Sequence, residues 1–419
     1  MNKKIDIKKI LTYLFMFLIL LYPFNATIIS IIYPNNTVCL FSVLVGMIGL
    51  FLVRKKYRIT KQNMMILFIT IMIAILTLIN NHYWLEGREL TVILFTIYLF
   101  IPFIISSCEN LEIPFCKVMK VFLYEHIIGT YFGIMFNNIY TAHVLPKICS
   151  GKAICTAIGN NYHGYMTGFT THFSTNAIYL SISSLYFFSE ILKKKNKKSI
   201  FLFILSLIAL FTTGKRAHLI FTLLCCLIVY IAQKSKSIIK KYSKIIVVSL
   251  FAILLFVLLS KFIPEITNII VRFETLIDKG NVLNGRSRLY DLAFNMWENH
   301  VLFGNGWGSF SYFYQTTLYS IGSMSYLDAH NVFLQLLCET GIIGFSIFTI
   351  LILCMFVKSL RRLKKNEKSI LNNFIFAYQL FFILYCFTGN PLYDPMCYVI
   401  YFITIGFVLS NKLKEGNAL

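Results

Sequence analysis

The chain has 419 residues, of which 58% are apolar and 16% aromatic, with a mean hydropathy of +0.72. A soluble domain carries roughly 45–50% apolar residues, so this composition excludes an ordinary soluble protein. The net charge of +22 would suit a nucleic-acid binder, but the cations are dispersed in short clusters between apolar runs, which excludes that reading.

Apolar runs long enough to cross a hydrocarbon core recur along the chain. They predict an all-α polytopic membrane protein with twelve spans, at 10–32, 37–53, 64–80, 90–107, 118–137, 173–190, 199–213, 217–232, 245–262, 331–357, 370–388 and 394–411. The whole of 1–419 reads as one polytopic domain, with no cleavable signal peptide at its start. Lys and Arg fall in alternate connections: four at 3–9, five at 54–61, two at 117–120, five at 193–198, five at 234–244, six at 358–368 and two at 412–414. Positive charge in short loops marks the cytoplasmic side. Both termini are therefore expected inside, and these basic loops are expected to serve topology and contact with anionic membrane lipid.

Ten basic residues remain on the outer side: Arg88, Lys147, Lys152, Lys215, Arg216, Lys261, Arg272, Lys279, Arg286 and Arg288. Two long loops, 138–172 and 263–330, lie on that side too, so function is sought there. The 263–330 loop is rich in aromatics, among them Trp297, Trp307, Tyr312 and Tyr314, and is no linker. Helical periodicity over 286–300 places Leu289, Leu292, Ala293, Met296 and Trp297 on one face, with Asn284 or Ser287 as the cap. Gly304, Gly306 and Gly308 alternate after it, a pattern that either lets backbone approach a ligand closely or makes an ordinary turn.

The loop ends on His330-Asn331, and nine residues later comes Gly341-Ile342-Ile343-Gly344. A titratable imidazole where a membrane span begins points to chemistry. Arg216 stands at the outer end of one span, and Arg286 with Arg288 at the head of the loop helix. Arginine grips phosphate oxygens through two parallel hydrogen bonds, and a nearby helix N-terminus adds to a diphosphate cradle. No Asp-x-Asp pair is present, and Glu86-x-x-Glu89 reads as a loop feature. No zinc-type His/Cys cluster appears either, so neither metal nor other cofactor is expected. The activated substrate should then be one whose leaving group arginines alone can neutralise, and a lipid-linked diphosphate sugar fits. His172 stands at the outer end of the sixth span, either to contact substrate or as an interfacial histidine. Cys149 and Cys155 share an outer loop, where oxidising conditions would permit them to pair.

The His330-Asn331 pair, its nine-residue gap to Gly341-x-x-Gly344 and the large preceding outer loop resemble the O-antigen ligase and polymerase superfamily. Gly168 to Ala177 and Thr213-Gly214-Lys215-Arg216 look like segments of capsular polysaccharide polymerases, and Gly285-Arg286-Ser287-Arg288 sits where that family has a loop motif. The resemblance implies a bundle like those of GT-C glycosyltransferases and a metal-independent, inverting transfer of glycan from undecaprenyl diphosphate, on the outer face of a bacterial cytoplasmic membrane. It implies that Arg216 and Arg286 bind the diphosphate, that Arg288 assists with charge, and that His330 is the general base. Asn331 would orient the imidazole or contact sugar, Lys215 and His172 are further candidate contacts, and Trp297, Trp307, Tyr312 and Tyr314 would either stack on sugar rings or fill the loop's own core. Flippase and chain-length regulator proteins are the partners it implies. A ligase of the same family shares these motifs. A lipid-linked oligosaccharide flippase is the non-enzymatic alternative, although its ionisable residues would lie at mid-membrane, where these spans are nearly free of them.

Overall fold

The computed structural model describes residues 6–32, 37–53, 61–79, 89–149, 152–194, 196–233, 286–318 and 327–410. The predicted span 245–262, Glu86, the candidate cap Asn284, and 263–285 and 319–326 of the predicted 263–330 loop lie outside these residues. Among the described residues all regular structure is helical. The first helices are α1 (Ile7–Ile32), α2 (Thr37–Val53), α3 (Lys61–Ile79), α4 (Glu89–Tyr98), α5 (Ile101–Ser107) and α6 (Glu112–Met135). A winding helical run over 137–148 leads to α7 (Lys152–Tyr162). Then come α8 (Phe173–Lys194), α9 (Lys197–Thr212) and α10 (Arg216–Ala232), followed by α11 (Ser287–Asn299) and α12 (Ser309–Leu318). The last three are α13 (Val332–Lys365), α14 (Ile370–Cys386) and α15 (Pro395–Leu409).

Most predicted spans coincide with these helices, with three physical departures. The 90–107 run is two helices, because Pro102 in the first turn of α5 cannot continue the ladder from α4. The predicted loop 138–172 is partly helical, holding the 137–148 run and α7. The 331–357 run becomes the 34-residue α13, which is broken at Gly341.

Two described helices are long and apolar enough to cross a membrane, over Ile7–Phe24 and within α13, and shorter apolar helices accompany them. Only a third of each long apolar window is buried. The exposed positions are themselves apolar, as with Phe201, Ile204 and Ile208 on α9 and Ile350, Leu353 and Val357 on α13. An outward apolar face at helical spacing suits a lipid solvent, not water. Inside this shell α14 and α15 are buried almost all round, and α8 packs against α9, α10 and α14. Polar groups there are satisfied internally: Ser184 bonds Ser206 across α8 and α9 at 3.0 Å, and the Tyr378 hydroxyl donates to the Cys397 carbonyl at 2.9 Å.

One basic cluster does more than orient the chain. Arg362, in the predicted lipid-facing set at 358–368, is buried. Its Nε donates to Asn372 at 2.8 Å and one terminal nitrogen meets the Glu112 carboxylate at 3.0 Å, while the other donates to the Phe407 carbonyl. It therefore ties α13, α14, α6 and α15 together. Lys120 pairs likewise with Glu190, joining α6 to α8.

Candidate functional site

The break in α13 organises the region around His330. Gly341 takes φ 62° and ψ −174°, backbone that only glycine adopts readily. The break leaves backbone groups of the helix without their usual partners, and the turn after α11 supplies them. Ile342 N–H donates to the Val301 carbonyl at 2.9 Å, and Ile343 N–H to that of Leu302 at 3.3 Å. In return the Asn305 and Gly306 N–H groups donate to the carbonyls of Cys338 (3.1 Å) and Glu339 (2.7 Å). A Cβ at Gly304 would lie 2.4 Å from the Glu339 backbone, and one at Gly341 would lie 2.2 Å from the Leu302 carbonyl oxygen. The two glycine motifs thus exist for each other. The close approach foreseen for Gly304-x-Gly306-x-Gly308 is to this broken helix.

The buried Glu339 carboxylate completes the joint. It accepts from Gly308 N–H (2.9 Å), Phe310 N–H (3.0 Å), Gln335 Nε2 (3.2 Å) and the Tyr393 hydroxyl (2.8 Å). Trp307, expected as one possible sugar platform, is instead buried between Phe95 and Tyr393, with ring centroids 4.3 and 4.4 Å away. Gln335 is a second hub: its Oε1 accepts from Ala329 N–H at 3.0 Å and from Asn390, and its Nε2 donates to Asp328 at 3.3 Å. The sequence reading overlooked Gln335 and Glu339. Their signal was there, two polar residues four apart inside an apolar run.

His330 stands at the head of this joint with φ 55°, one of two described non-glycine residues at positive φ. Such outliers collect where function positions a side chain. Its neighbours are fixed on both sides, Ala329 by Gln335 and Asn331 by its own capping bonds. Asn331 Oδ1 accepts from Phe333 N–H (3.0 Å) and Leu334 N–H (3.3 Å), so this oxygen caps α13 and is not aimed at the imidazole.

Four helix N-termini meet here. His172 precedes α8, Lys215 precedes α10, Arg286 precedes α11 and His330-Asn331 precede α13. The half-buried His330 imidazole is held below the ordinary histidine range by burial first, then by the Arg286 charge and the Lys215 charge, with Asp328 opposing them. Burial and the Arg286 charge also lower Lys215. Burial and then Lys215 bring His172 down to about 4. Lys215 lies over the Phe173 ring at 5.2 Å, and the Arg286 guanidinium donates to the Thr388 carbonyl at 3.1 Å. Arg216 opens α10 beside Lys215 and is half-buried. The fixed partial charges of the helix ends add to these cations, and together they make the surroundings of His330 attractive to an anion.

The two polar segments quoted from the sequence dock on each other to build one wall. Met166 N–H donates to the Thr212 carbonyl at 3.0 Å, and Tyr165 stacks on Phe173 with centroids 5.3 Å apart. A Cβ at Gly214 would strike the Tyr165 ring at 2.4 Å. His172 serves as a cap in this wall: its Nδ1 accepts from Ser174 N–H at 3.2 Å.

Arg288 departs from the group. Two positions beyond Arg286, it points roughly 200° further round the helix. It lines a separate groove along α11. Ser287 is the first residue of α11 and not its cap; Arg286 occupies the cap position without a side-chain bond. The helix face itself matches the sequence reading, with Leu289, Leu292, Ala293 and Met296 buried. Cys149 is buried and Cys155 exposed, both as free thiols. Among the described residues no group of three or more His, Cys, Asp or Glu side chains could hold a metal ion.

A search of curated proteins finds no match. Residues 201–349 match the family model described as O-Antigen ligase. The matched stretch carries Lys215, Arg216, Arg286, His330, Gly341 and Gly344. Over this stretch, a little over a third of the chain, the protein is similar to the O-antigen ligase family.

Proposed function

We propose that this membrane protein is a polysaccharide polymerase, joining oligosaccharide units carried on undecaprenyl diphosphate at the outer face of a bacterial cytoplasmic membrane. The observation that carries the reading is that the Lys215 and Arg286 charges, each at a helix N-terminus, act on the His330 imidazole at the head of α13. In this reading the cations hold the donor diphosphate. The acceptor hydroxyl oxygen attacks the anomeric carbon from the opposite side, the carbon–oxygen bond to the diphosphate breaks, and the configuration inverts. The hydroxyl proton passes to the His330 imidazole, which burial and its cationic neighbours keep neutral and so free to accept it. The lipid diphosphate leaves with its charge balanced by Lys215, Arg216 and Arg286.

Twelve spans with both termini inside accord with the fold at one point. His330 and the Arg362 cluster stand at opposite ends of α13, so an outer site places the basic pins inside. The description of the matched family favours a second reading, a ligase that moves finished glycan to a different acceptor. Against a flippase, Lys215, Arg216 and Arg286 stand at helix N-termini and Arg362 in a last helical turn, instead of at mid-helix.

The test feeds purified protein and its His330→Ala variant the lipid-linked unit from a polymerase-deficient strain. A ladder from wild type and single units from the variant support the polymerase with His330 essential. An equally active variant removes the general base. No ladder from folded wild type, with transfer to another acceptor, favours the ligase.

A further inference from the structure

A groove of about 890 Å³ runs along α11 between that helix and α12. Arg288, Asp291, Asn295 and Asn299 line it at helical spacing, all exposed, and Phe313 and Thr317, four apart on α12, face them. The opposite face of α11 is the apolar one that packs on α13. Stability of the fold therefore does not require the polar stripe. Among the described residues Arg288 and Asp291, three apart, form no ion pair with each other.

We infer that this groove is a second glycan subsite, holding a stretch of saccharide several sugars away from the bond being made. The inference rests on the glycosyl-transfer reading. Amide, carboxylate and guanidinium groups in a row match the alternating donors and acceptors of ring hydroxyls, and the Phe313 ring offers an apolar face between them. The stripe from Arg288 to Asn299 spans roughly 16 Å at the helical rise, room for a chain and not for one ring. The groove begins at Arg288, two residues after Arg286 on the same helix. Its floor is held by buried Asn305, whose Nδ2 donates to the Met296 carbonyl (2.9 Å) and the Cys338 carbonyl (3.0 Å). Groove and His330 thus share one rigid frame, and a glycan lying in the groove extends away from the diphosphate site. The carboxylate of Asp291 favours neutral or amino sugars beside it, and Arg288 suits an acidic sugar at the near end.

The experiment measures calorimetric binding of saccharides of one, two and three repeats, freed from lipid by mild acid, to full-length protein in nanodiscs. Wild type is expected to bind more tightly as length grows. Asp291→Ala/Asn295→Ala should flatten that rise, with a loss on the order of tenfold at three repeats, while binding of geranylgeranyl diphosphate certifies its fold. Asn295→Trp, which fills the groove, should do the same. Length-independent binding by wild type, or groove variants equal to wild type at every length, overturns the subsite. A wild type that polymerises while its groove variants bind normally leaves the transfer reading standing and removes only this inference. A wild type that binds with length dependence yet transfers nothing does the reverse.

Discussion

Gly341→Ala tests whether the glycine motif serves the joint or the substrate. At φ 62° and ψ −174° a non-glycine residue costs about 1–3 kcal/mol. The new Cβ would also lie 2.2 Å from the Leu302 carbonyl oxygen and 2.5 Å from the Phe303 nitrogen. Both are backbone atoms, so the 301–303 turn must move. That movement opens the bonds from Ile342 and Ile343 N–H, each worth about 1 kcal/mol. The sum is about 3–5 kcal/mol, a large share of the roughly 5–15 kcal/mol that holds a typical domain folded. Gly159→Ala is the comparison: its Cβ would meet nothing within 4 Å, in the helix α7, and should cost far less. Thermal unfolding in detergent followed by tryptophan fluorescence reads both, alongside binding of geranylgeranyl diphosphate. The joint predicts that Gly341→Ala melts several degrees below Gly159→Ala. A Gly341→Ala protein that melts with wild type but no longer binds the diphosphate would refute the reasoning and return the glycine to the ligand.

Other outcomes follow from the same geometry. His330 is held low, so the pH–activity profile should keep its activity below the ordinary histidine pKa and lose it only as pH falls through the depressed value. Lys215→Met removes a cationic neighbour and should move that acid limb to higher pH, whereas Asp328→Asn should move it lower; limbs unmoved by either change would show that His330 is not the titrating group. Arg362→Ala should cost about 3 kcal/mol by stranding Glu112, and Glu112→Gln in that background should recover part of it, measured by the unfolding midpoint. Asn331→Ala should lose about 1 kcal/mol of capping, while Asn331→Asp keeps it; equal loss in both would show that the amide nitrogen, not the capping oxygen, is what matters.

Local periodicity made the helices legible, since an apolar face or run is a property of neighbouring residues. The buried face of α11 appears in the structure as its spacing dictates. The ends were less legible: Asn284 and Ser287 both have capping chemistry, yet the helix begins after Arg286. The candidate site was legible as a set of residue types, His330 with outward cations, because cations on the outer side and a histidine at a span boundary are costly unless used. What those residues touch was not legible. Gly304 and Gly341 advertised a close approach, but the backbone that approaches them, Glu339 for Gly304 and Leu302 for Gly341, is far away in sequence, beyond any local pattern. Arg362 looked like its basic neighbours, and only packing distinguishes it, because burial depends on which helices surround α13. Trp307 was set among candidate sugar platforms for the same reason.

The joint explains how His330 is held in place at the head of α13. His330 occupies a left-handed conformation that costs a non-glycine residue about 1–2 kcal/mol, and it persists because both neighbours are committed elsewhere. Gln335 holds Ala329, and Asn331 caps the helix that Gln335 belongs to. That helix is short, since Gly341 ends it, and Glu339 pins it to the turn at 308–310 through two backbone N–H groups. The helix beyond, where Ile342 and Ile343 are exposed, is tied to the same joint, since the Ile342 and Ile343 N–H groups donate to the Val301 and Leu302 carbonyls. A continuous helix from 332 to 365 would have neither these donors nor the Cys338 and Glu339 carbonyls to offer the turn. The break separates the part of α13 that faces lipid from the part that fixes the histidine against Lys215 and Arg286. Each of those cations starts its own packed helix, so the distances between base and anion-binding groups are set by helix packing and not by loops.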